Sequence, residues 1–275
     1  MEILKAALYG IIQGPTEFLP VSSSGHLAIF KNIFGLDFDD AILFTLILHL
    51  GSLVAVFIIY FKDIKNLIVS FFTLIIKIFT GNFRYHRMTS GERFVILVLV
   101  ATIPLIIGAL IDKQIEALSD YTKIIGVFLI INAVVLFLSD RIPEGNITEK
   151  TATPKNALFV GLCQIIAVAP GISRSGATIT GGLLNGFDRK FAVKFSFIMS
   201  IPAILGASVF KLADFASSDA EVTGLMFAQC VFGFIFAFVS GIIAIVFVNI
   251  IARNKNFTYF AIYCFIAGLI ALIFG

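Results

Sequence analysis

Long apolar runs separated by short polar connections dominate this chain. Six of them, residues 41–61, 94–111, 123–139, 191–211, 224–251 and 257–274, are long enough to cross a bilayer as helices, which takes about 20 residues at a rise of 1.5 Å each. The pattern predicts an all-α, polytopic integral membrane protein, the whole chain forming one membrane domain. A further apolar run at 67–79 is short, and Lys62, Lys65 and Lys77 flank or interrupt it. It predicts an interfacial or cytoplasmic amphipathic helix rather than a span.

Residues 1–36 and 155–187 have a different pattern. Each opens as an apolar helix, breaks at Pro, Gly and Ser, and resumes as a second short helix. Non-helical backbone at membrane depth must be buried in protein or line a wet cavity. Both are therefore read as re-entrant helix–loop–helix hairpins. They also resemble each other. At a fixed shift of 151 residues, Gln13, Ser22, Ser24, Gly25, Gly35 and Asp37 fall on Gln164, Ser173, Ser175, Gly176, Gly186 and Asp188, and Ala6, Gly10, Ala41, Phe44 and Ile47 fall on Ala157, Gly161, Ala192, Phe195 and Ile198. Apolar coincidences are cheap in such a chain, but polar ones in a single register point to an internal duplication, with repeats at about 1–139 and 151–275.

Loop charge gives the orientation. Residues 62–93 carry Lys62, Lys65, Lys77, Arg84, Arg87 and Arg93 against Asp63 and Glu92, whereas 112–122 carry Lys113 against Asp112, Glu116 and Asp120. Residues 212–222 carry Asp214, Asp219 and Glu221, and the last connection carries Arg253 and Lys255. Basic loops face the cytoplasm, so both termini lie outside. The span after the first hairpin then runs inward and the span after the second runs outward. The repeats are inverted, and the hairpins meet near the midplane, where transporters of this build place their sites.

Composition agrees with the membrane reading. The chain is 59% hydrophobic and 13% charged, against about 25% charged in soluble proteins. The net charge of +3 is spread over short loops and implies no nucleic acid. Cys163, Cys230 and Cys264 lie in apolar stretches and are read as packing residues. No cleavable signal peptide is expected.

Against that background, Arg174 stands out. Residues 170–176 read Pro-Gly-Ile-Ser-Arg-Ser-Gly, and an arginine at bilayer depth costs about 2.5–3.5 kcal/mol, which makes its default reading functional. A guanidinium fork within a loop of backbone N–H groups and hydroxyls suits a phosphate. Gly171, Ser173, Ser175, Gly176 and Thr178, with Ser22 and Ser24 of the first hairpin, are the expected phosphate-binding residues. In the first hairpin Gln13 and Glu17 are four apart and share one helix face. Their oxygens can hold a hard divalent cation, Mg²⁺ or Ca²⁺, with phosphate completing the shell. His26 can attack phosphorus or deprotonate a serine or water, and Ser23 and Ser24 are alternative nucleophiles. His49 is read as helix-packing glue and His86 as a solvated loop residue. Glu2, Lys5 and the acidic residues 37–40 are read as boundary charges, and Asp188, Arg189 and Lys190 as the cytoplasmic mouth of the second hairpin.

Two runs carry a family resemblance. Gln-x-x-x-Glu-Phe-Leu-Pro-Val-Ser-Ser-Ser-Gly-His at 13–26 and Pro-Gly-x-Ser-Arg-Ser-Gly-Ala-Thr at 170–178 resemble the two signatures of the bacterial undecaprenyl-diphosphate phosphatases, the bacitracin-resistance proteins. The likeness runs the length of the chain. It implies a plasma-membrane hydrolase that converts undecaprenyl diphosphate to undecaprenyl phosphate, the carrier lipid reused in cell-wall synthesis. It also implies a divalent-cation requirement, an inverted repeat with two re-entrant hairpins, and a site opening to the outer face. By motif position Gln13 and Glu17 fill the family's acidic pair, Ser23 and His26 its serine–histidine pair, and Arg174 its phosphate arginine. Many members carry Glu where this chain has Gln13, which leaves Glu17 as the pair's one carboxylate.

The same architecture also suits a polyprenyl-phosphate flippase or transporter, which has no need of His, Glu and Ser facing an Arg. An ion channel would present a ring of repeated polar positions, and none is visible. The expected partners are the polyprenyl diphosphate and membrane lipid, with oligomeric state left open.

Overall fold

The computed structural model describes residues 2–34, 41–110, 115, 117–217, 222–253 and 256–275. Among them the chain forms α1 (Glu2–Phe18), α2 (Ser23–Phe34), α3 (Ala41–Ile59), α4 (Phe61–Phe79), α5 (Ser90–Thr102), α6 (Leu105–Leu110), α7 (Thr122–Ser139), α8 (Pro154–Ile166), α9 (Arg174–Leu184), α10 (Arg189–Ala216), α11 (Gly224–Arg253) and α12 (Thr258–Phe274). The protein is all-α and polytopic. Five stretches, Ile42–Ile59, Ser90–Gly108, Thr122–Ser139, Arg189–Ala216 and Gly224–Ala252, are long and apolar enough to cross a membrane, while Thr258–Phe274 is a shorter apolar helix.

These helices are apolar all round, and two sides of α7 show why. Val127, Ile131, Val134 and Leu138, spaced as one helical stripe, are exposed, while Ile125, Leu129, Ala133 and Leu136 are buried on the opposite side. A large apolar stripe facing outward is what lipid solvates. The second span is broken between α5 and α6 at Pro104, which has no N–H to continue the ladder; Ile106 and Ile107 bond back to Ile103 O and Pro104 O over the short i→i+3 spacing instead.

The shorter pieces fall where the Pro, Gly and Ser breaks predict. α8 has 13 residues and α9 has 11, about 20 and 17 Å long, too short for the roughly 30 Å hydrocarbon core. Thr153 opens α8 with a reciprocal Thr–Asn cap, and Ser173 opens α9 by accepting from Gly176 N. The run predicted at 67–79 belongs to a longer helix, α4, which Lys77 ties to Glu92 on α5 at 2.6 Å.

Arg189, read from sequence as part of the cytoplasmic mouth of the second hairpin, lies inside the fold. It is buried, 3.7 Å from Asp140 Oδ1, and donates to Ser139 O at 3.3 Å. Asp140 Oδ2 in turn accepts from Thr258 N and Thr258 Oγ, at 2.7 and 2.8 Å, so the pair ties the start of α10 to the start of α12. Asp188 caps α10 through Phe191 N at 2.7 Å. Gly35, the acidic residues 37–40, and the loop charges Asp112, Lys113, Glu116, Asp219, Glu221 and Lys255 lie outside the described residues.

Candidate active site

The site is built where the α1–α2 loop meets the α8–α9 loop. Its first support is the contact of α1 with α11. A methyl added to Gly10 would sit 2.5 Å from Gly233 O, and one added to Gly14 would collide with Ser240 Oγ and Ala237 O. Small residues at four-residue spacing let the two backbones close up. With α1 held there, Gln13 and Glu17 project together from one face near its end.

Residues 19–22 then turn the chain sharply. Ser22 takes φ +71°, a left-handed conformation costing a non-glycine residue roughly 1 kcal/mol or more. Its own contacts hold it there. Ser22 Oγ accepts from Gly171 N at 3.2 Å and Gly25 N at 3.3 Å, while Ser22 O faces His26 Nδ1 at 2.8 Å. Gly171 is left-handed as well, at φ +105°, and lies so close to Gly25 that a methyl on Gly25 would come within 2.9 Å of Gly171 Cα.

Asn132, mid-span on α7, joins both loops. Its amide donates to Pro20 O at 2.8 Å and accepts from Ser173 N at 3.1 Å, and the residue is 1% exposed. Ser175 Oγ adds a bond to Leu19 O at 3.2 Å and lies 3.0 Å from Ser173 Oγ. Thr178 Oγ donates to Arg174 O at 2.8 Å and meets Ser196 Oγ of α10 at 2.7 Å.

Those bonds change the expected roles. Of the residues expected to hold phosphate, Ser22, Gly171, Ser173 and Ser175 are buried and engaged in joining the loops; Gly176 and Thr178 are buried, Gly176 N donating to Ser173 Oγ at the start of α9 and Thr178 Oγ bonding α9 and α10; Ser24 is exposed. The physical reason is that loop backbone buried at depth must have its polar groups satisfied internally. In this fold the nearest hydroxyls do that work.

Glu17 is the centre of what remains. Its carboxylate, 6% exposed, accepts from Arg174 Nη2 at 2.8 Å on Oε1. Oε2 accepts from Ser23 Oγ at 2.7 Å and Gln13 Nε2 at 2.9 Å, with His49 Nε2 of α3 at 3.7 Å. A buried charge without such partners would be untenable. Arg174 Nη1 reaches Ser200 O at 3.4 Å, leaving guanidinium N–H groups for another anion. Arg174 and His49 keep 20% and 27% of their side chains exposed and Ser23 is half-buried, so the groups around the buried carboxylate are themselves partly accessible.

The structure thus brings Gln13, Glu17, Ser23 and Arg174 together. His26 is engaged by other partners. His26 is buried, stacked on Tyr263 of α12 with ring centroids 5.4 Å apart, and Nε2 lies 2.7 Å from Tyr263 OH. With Nδ1 against a carbonyl, Nδ1 is the protonated nitrogen and Nε2 accepts the phenol proton, a tautomer assigned from these partners. His26 makes no hydrogen bond to Glu17, Ser23 or Arg174; its bond to Ser22 O holds the loop that carries Ser23.

Sequence reasoning missed three residues. His49, taken for packing glue, is at the carboxylate, and an ionisable group within a span was the signal for it. Asn132 gave the same kind of signal, a lone amide in an apolar run. Tyr263 gave none.

The donor set also fits a hard divalent cation. Glu17 supplies a carboxylate, and Gln13 Oε1 is a buried acceptor without a hydrogen-bond partner. Such oxygens, completed by water and phosphate, are what Mg²⁺ and Ca²⁺ take.

Comparison with known proteins bears on the whole chain. The profile of the family described as "Bacitracin resistance protein BacA" matches residues 6–270. A protein of Methanosphaera stadtmanae named undecaprenyl-diphosphatase is 40% identical over 278 residues, covering 99% of this chain and 98% of the relative. Proteins with the same name from Methanobrevibacter smithii and Alkaliphilus metalliredigens are 39% and 38% identical, covering 98% and 100% of this chain and 96% and 99% of their own lengths.

Proposed function

The chain belongs to the bacitracin-resistance BacA family, and from that premise we propose that it hydrolyses undecaprenyl diphosphate to undecaprenyl phosphate and inorganic phosphate. The product is the lipid carrier needed again for cell-wall synthesis, and consuming the diphosphate removes the target of bacitracin. The reading includes a plasma-membrane location, inverted repeats whose two hairpins enter from opposite faces, and a site open to the outer face. The alternation of loop charge supports that sidedness.

One observation carries the chemistry: Glu17 is clasped between Ser23 Oγ at 2.7 Å and Arg174 Nη2 at 2.8 Å. A hydroxyl donating to a carboxylate is placed to give up its proton as it attacks. Ser23 Oγ attacks the terminal phosphorus, its proton passes to Glu17, and the bond to the bridging oxygen breaks to release undecaprenyl phosphate. Glu17 passes that proton to the departing undecaprenyl phosphate; water then attacks the phosphoserine and gives a proton to Glu17, which returns it to Ser23 Oγ as the P–Oγ bond breaks and phosphate leaves. Arg174 meets the charge on the phosphoryl oxygens, the role expected to contribute most. Gln13 and Glu17 would hold a divalent cation, which when bound neutralises phosphate charge and polarises the phosphoryl group. His26 holds the loop, and its capped Nε2 favours serine over histidine as nucleophile.

The test is phosphate release by purified protein given undecaprenyl diphosphate in detergent, with and without a chelator. Ser23→Ala and Arg174→Ala should each lower turnover by at least about 100-fold while the protein still folds, and the chelator should stop the wild type. Near-normal turnover by either variant would refute the assignment. A liposome assay of lipid translocation separates hydrolysis from flipping.

A further inference from the structure

α4 presents an apolar stripe that the hydrolytic site does not use. The helix bears Lys62, Asp63, Lys65 and Lys77 within 19 residues, too many charges for an ordinary span. Its polar edge, Asn66, Ser70 and Lys77, extends about 16 Å along the axis, yet all three meet the same two residues of α5. A methyl on Gly91 would collide with Ser70 Oγ and come 3.9 Å from Asn66 O, while Lys77 Nζ bonds Glu92 at 2.6 Å. α4 therefore lies across the start of α5 and not alongside it, as a helix in the plane of a membrane surface does. Ile64 and Leu74 are buried against the protein. Phe61, Ile68, Phe72, Ile76 and Phe79, which share one helical stripe, are exposed.

Charge indicates what covers that stripe. Both acidic residues of 61–93 are neutralised within the protein, Asp63 by Lys194 of α10 at 2.6 Å and Glu92 by Lys77. Lys62 and Lys65 at one end of the stripe, and Arg84 and Arg87 beyond the other, are exposed and take part in no ion pair among the described residues. Four such cations bordering an apolar stripe match anionic headgroups above acyl chains, and would find no countercharge on a second apolar helix. We propose that α4 and the loop after it bind the anionic lipids of one leaflet, the stripe among acyl chains and the four cations on phosphate headgroups. This surface is separate from Glu17 and Arg174; only its assignment to the cytoplasmic leaflet rests on the sidedness proposed above.

The chain has no tryptophan, so Phe72→Trp supplies a single reporter on the stripe. The full-length variant is reconstituted in phosphatidylcholine bilayers containing brominated phosphatidylglycerol or brominated phosphatidylcholine, whose bromines quench a tryptophan they touch. Both should quench, with phosphatidylglycerol favoured at least about fivefold at about 0.1 M salt. The preference should fall below about twofold at about 1 M, where the Debye length shrinks from about 10 to about 3 Å. Adding Lys62→Gln, Lys65→Gln, Arg84→Gln and Arg87→Gln should remove the preference and keep the quenching. Val134→Trp, on the exposed stripe of α7, is the control and should be quenched without preference. An unquenched Phe72→Trp would mean that protein covers the stripe, which overturns the proposal. So does a preference that is absent, that withstands about 1 M salt, or that survives the four added substitutions. The salt series needs only Phe72→Trp, so it decides the matter if the multiple variant fails to fold. Phosphate release is measured separately, and neither result settles the other.

Discussion

Asn132→Leu tests whether a single amide holds the two loops in register. Leucine keeps asparagine's branching at Cγ and suits a span, so insertion should be spared, while its bulkier methyl groups add an overpacking cost at this buried position that the control below shares in part. What is lost is the donor to Pro20 O at 2.8 Å and the acceptor for Ser173 N at 3.1 Å, at a residue only 1% exposed. Each orphaned buried backbone group costs about 1–3 kcal/mol, so the pair should cost about 2–6 kcal/mol. Bonds inside membranes often measure near 0.6 kcal/mol because the unfolded segments find other partners, which places the expectation at the lower end, about 2 kcal/mol. Activity should fall further than stability. Pro20 lies between Glu17 and Ser23 in the chain, and Ser173 precedes Arg174, so loosening either loop moves both sides of the ion pair. A displacement of about 1 Å can cost about 100-fold in rate. Asn249→Leu is the control, since that amide bonds Tyr60 OH and its own helix, away from the loops. The assays are phosphate release and thermal unfolding in detergent. Wild-type turnover and melting in Asn132→Leu, or equal loss of turnover in the Asn249 control, would show that the loops are positioned by something else.

Arg174→Lys should be nearly as damaging as removal, losing about 100-fold in turnover. An ammonium cannot span Glu17 Oε1 and Ser200 O while offering further N–H groups to phosphate; recovery of most turnover with Lys would mean that charge alone suffices. Tyr263→Phe frees His26 Nε2 from its 2.7 Å partner, a neutral bond worth about 1 kcal/mol, so turnover should change by no more than about fivefold. Phosphoenzyme trapped from that variant and from the wild type should survive acid and be released by base, as a phosphoserine is. Acid-labile phosphoenzyme would instead assign the attack to a histidine.

The large features were legible because they come from short-range rules. Apolar length marked the spans, and Pro, Gly and Ser breaks marked the two loops. The four-residue spacing of Gln13 and Glu17 placed them on one face before any coordinates, and their 2.9 Å bond is that geometry realised. The pairing of Glu17 with Arg174 follows from a cost: a carboxylate and a guanidinium at depth have few affordable states except each other. What was not legible is how polar groups divide their labour once the loops meet. Ser22, Ser173, Ser175 and Thr178 have the chemistry of phosphate ligands, and pattern cannot tell whether a hydroxyl points to substrate or to the opposite loop. In the structure Ser22, Ser173 and Ser175 bond across the loop junction, because two broken segments buried together must satisfy each other's backbone, while Thr178 bonds its own helix and Ser196 of α10. His26 and His49 exchange prominence for a related reason. His26 lies within a motif and His49 in a bare span, so sequence favours the first. Yet position on the three-dimensional face decides, and His49 reaches Glu17 across the α1–α3 contact while His26 turns toward α12. The two motif runs supply Glu17, Ser23 and Arg174, and a further neighbour of the carboxylate, His49, comes from a span lying outside either run.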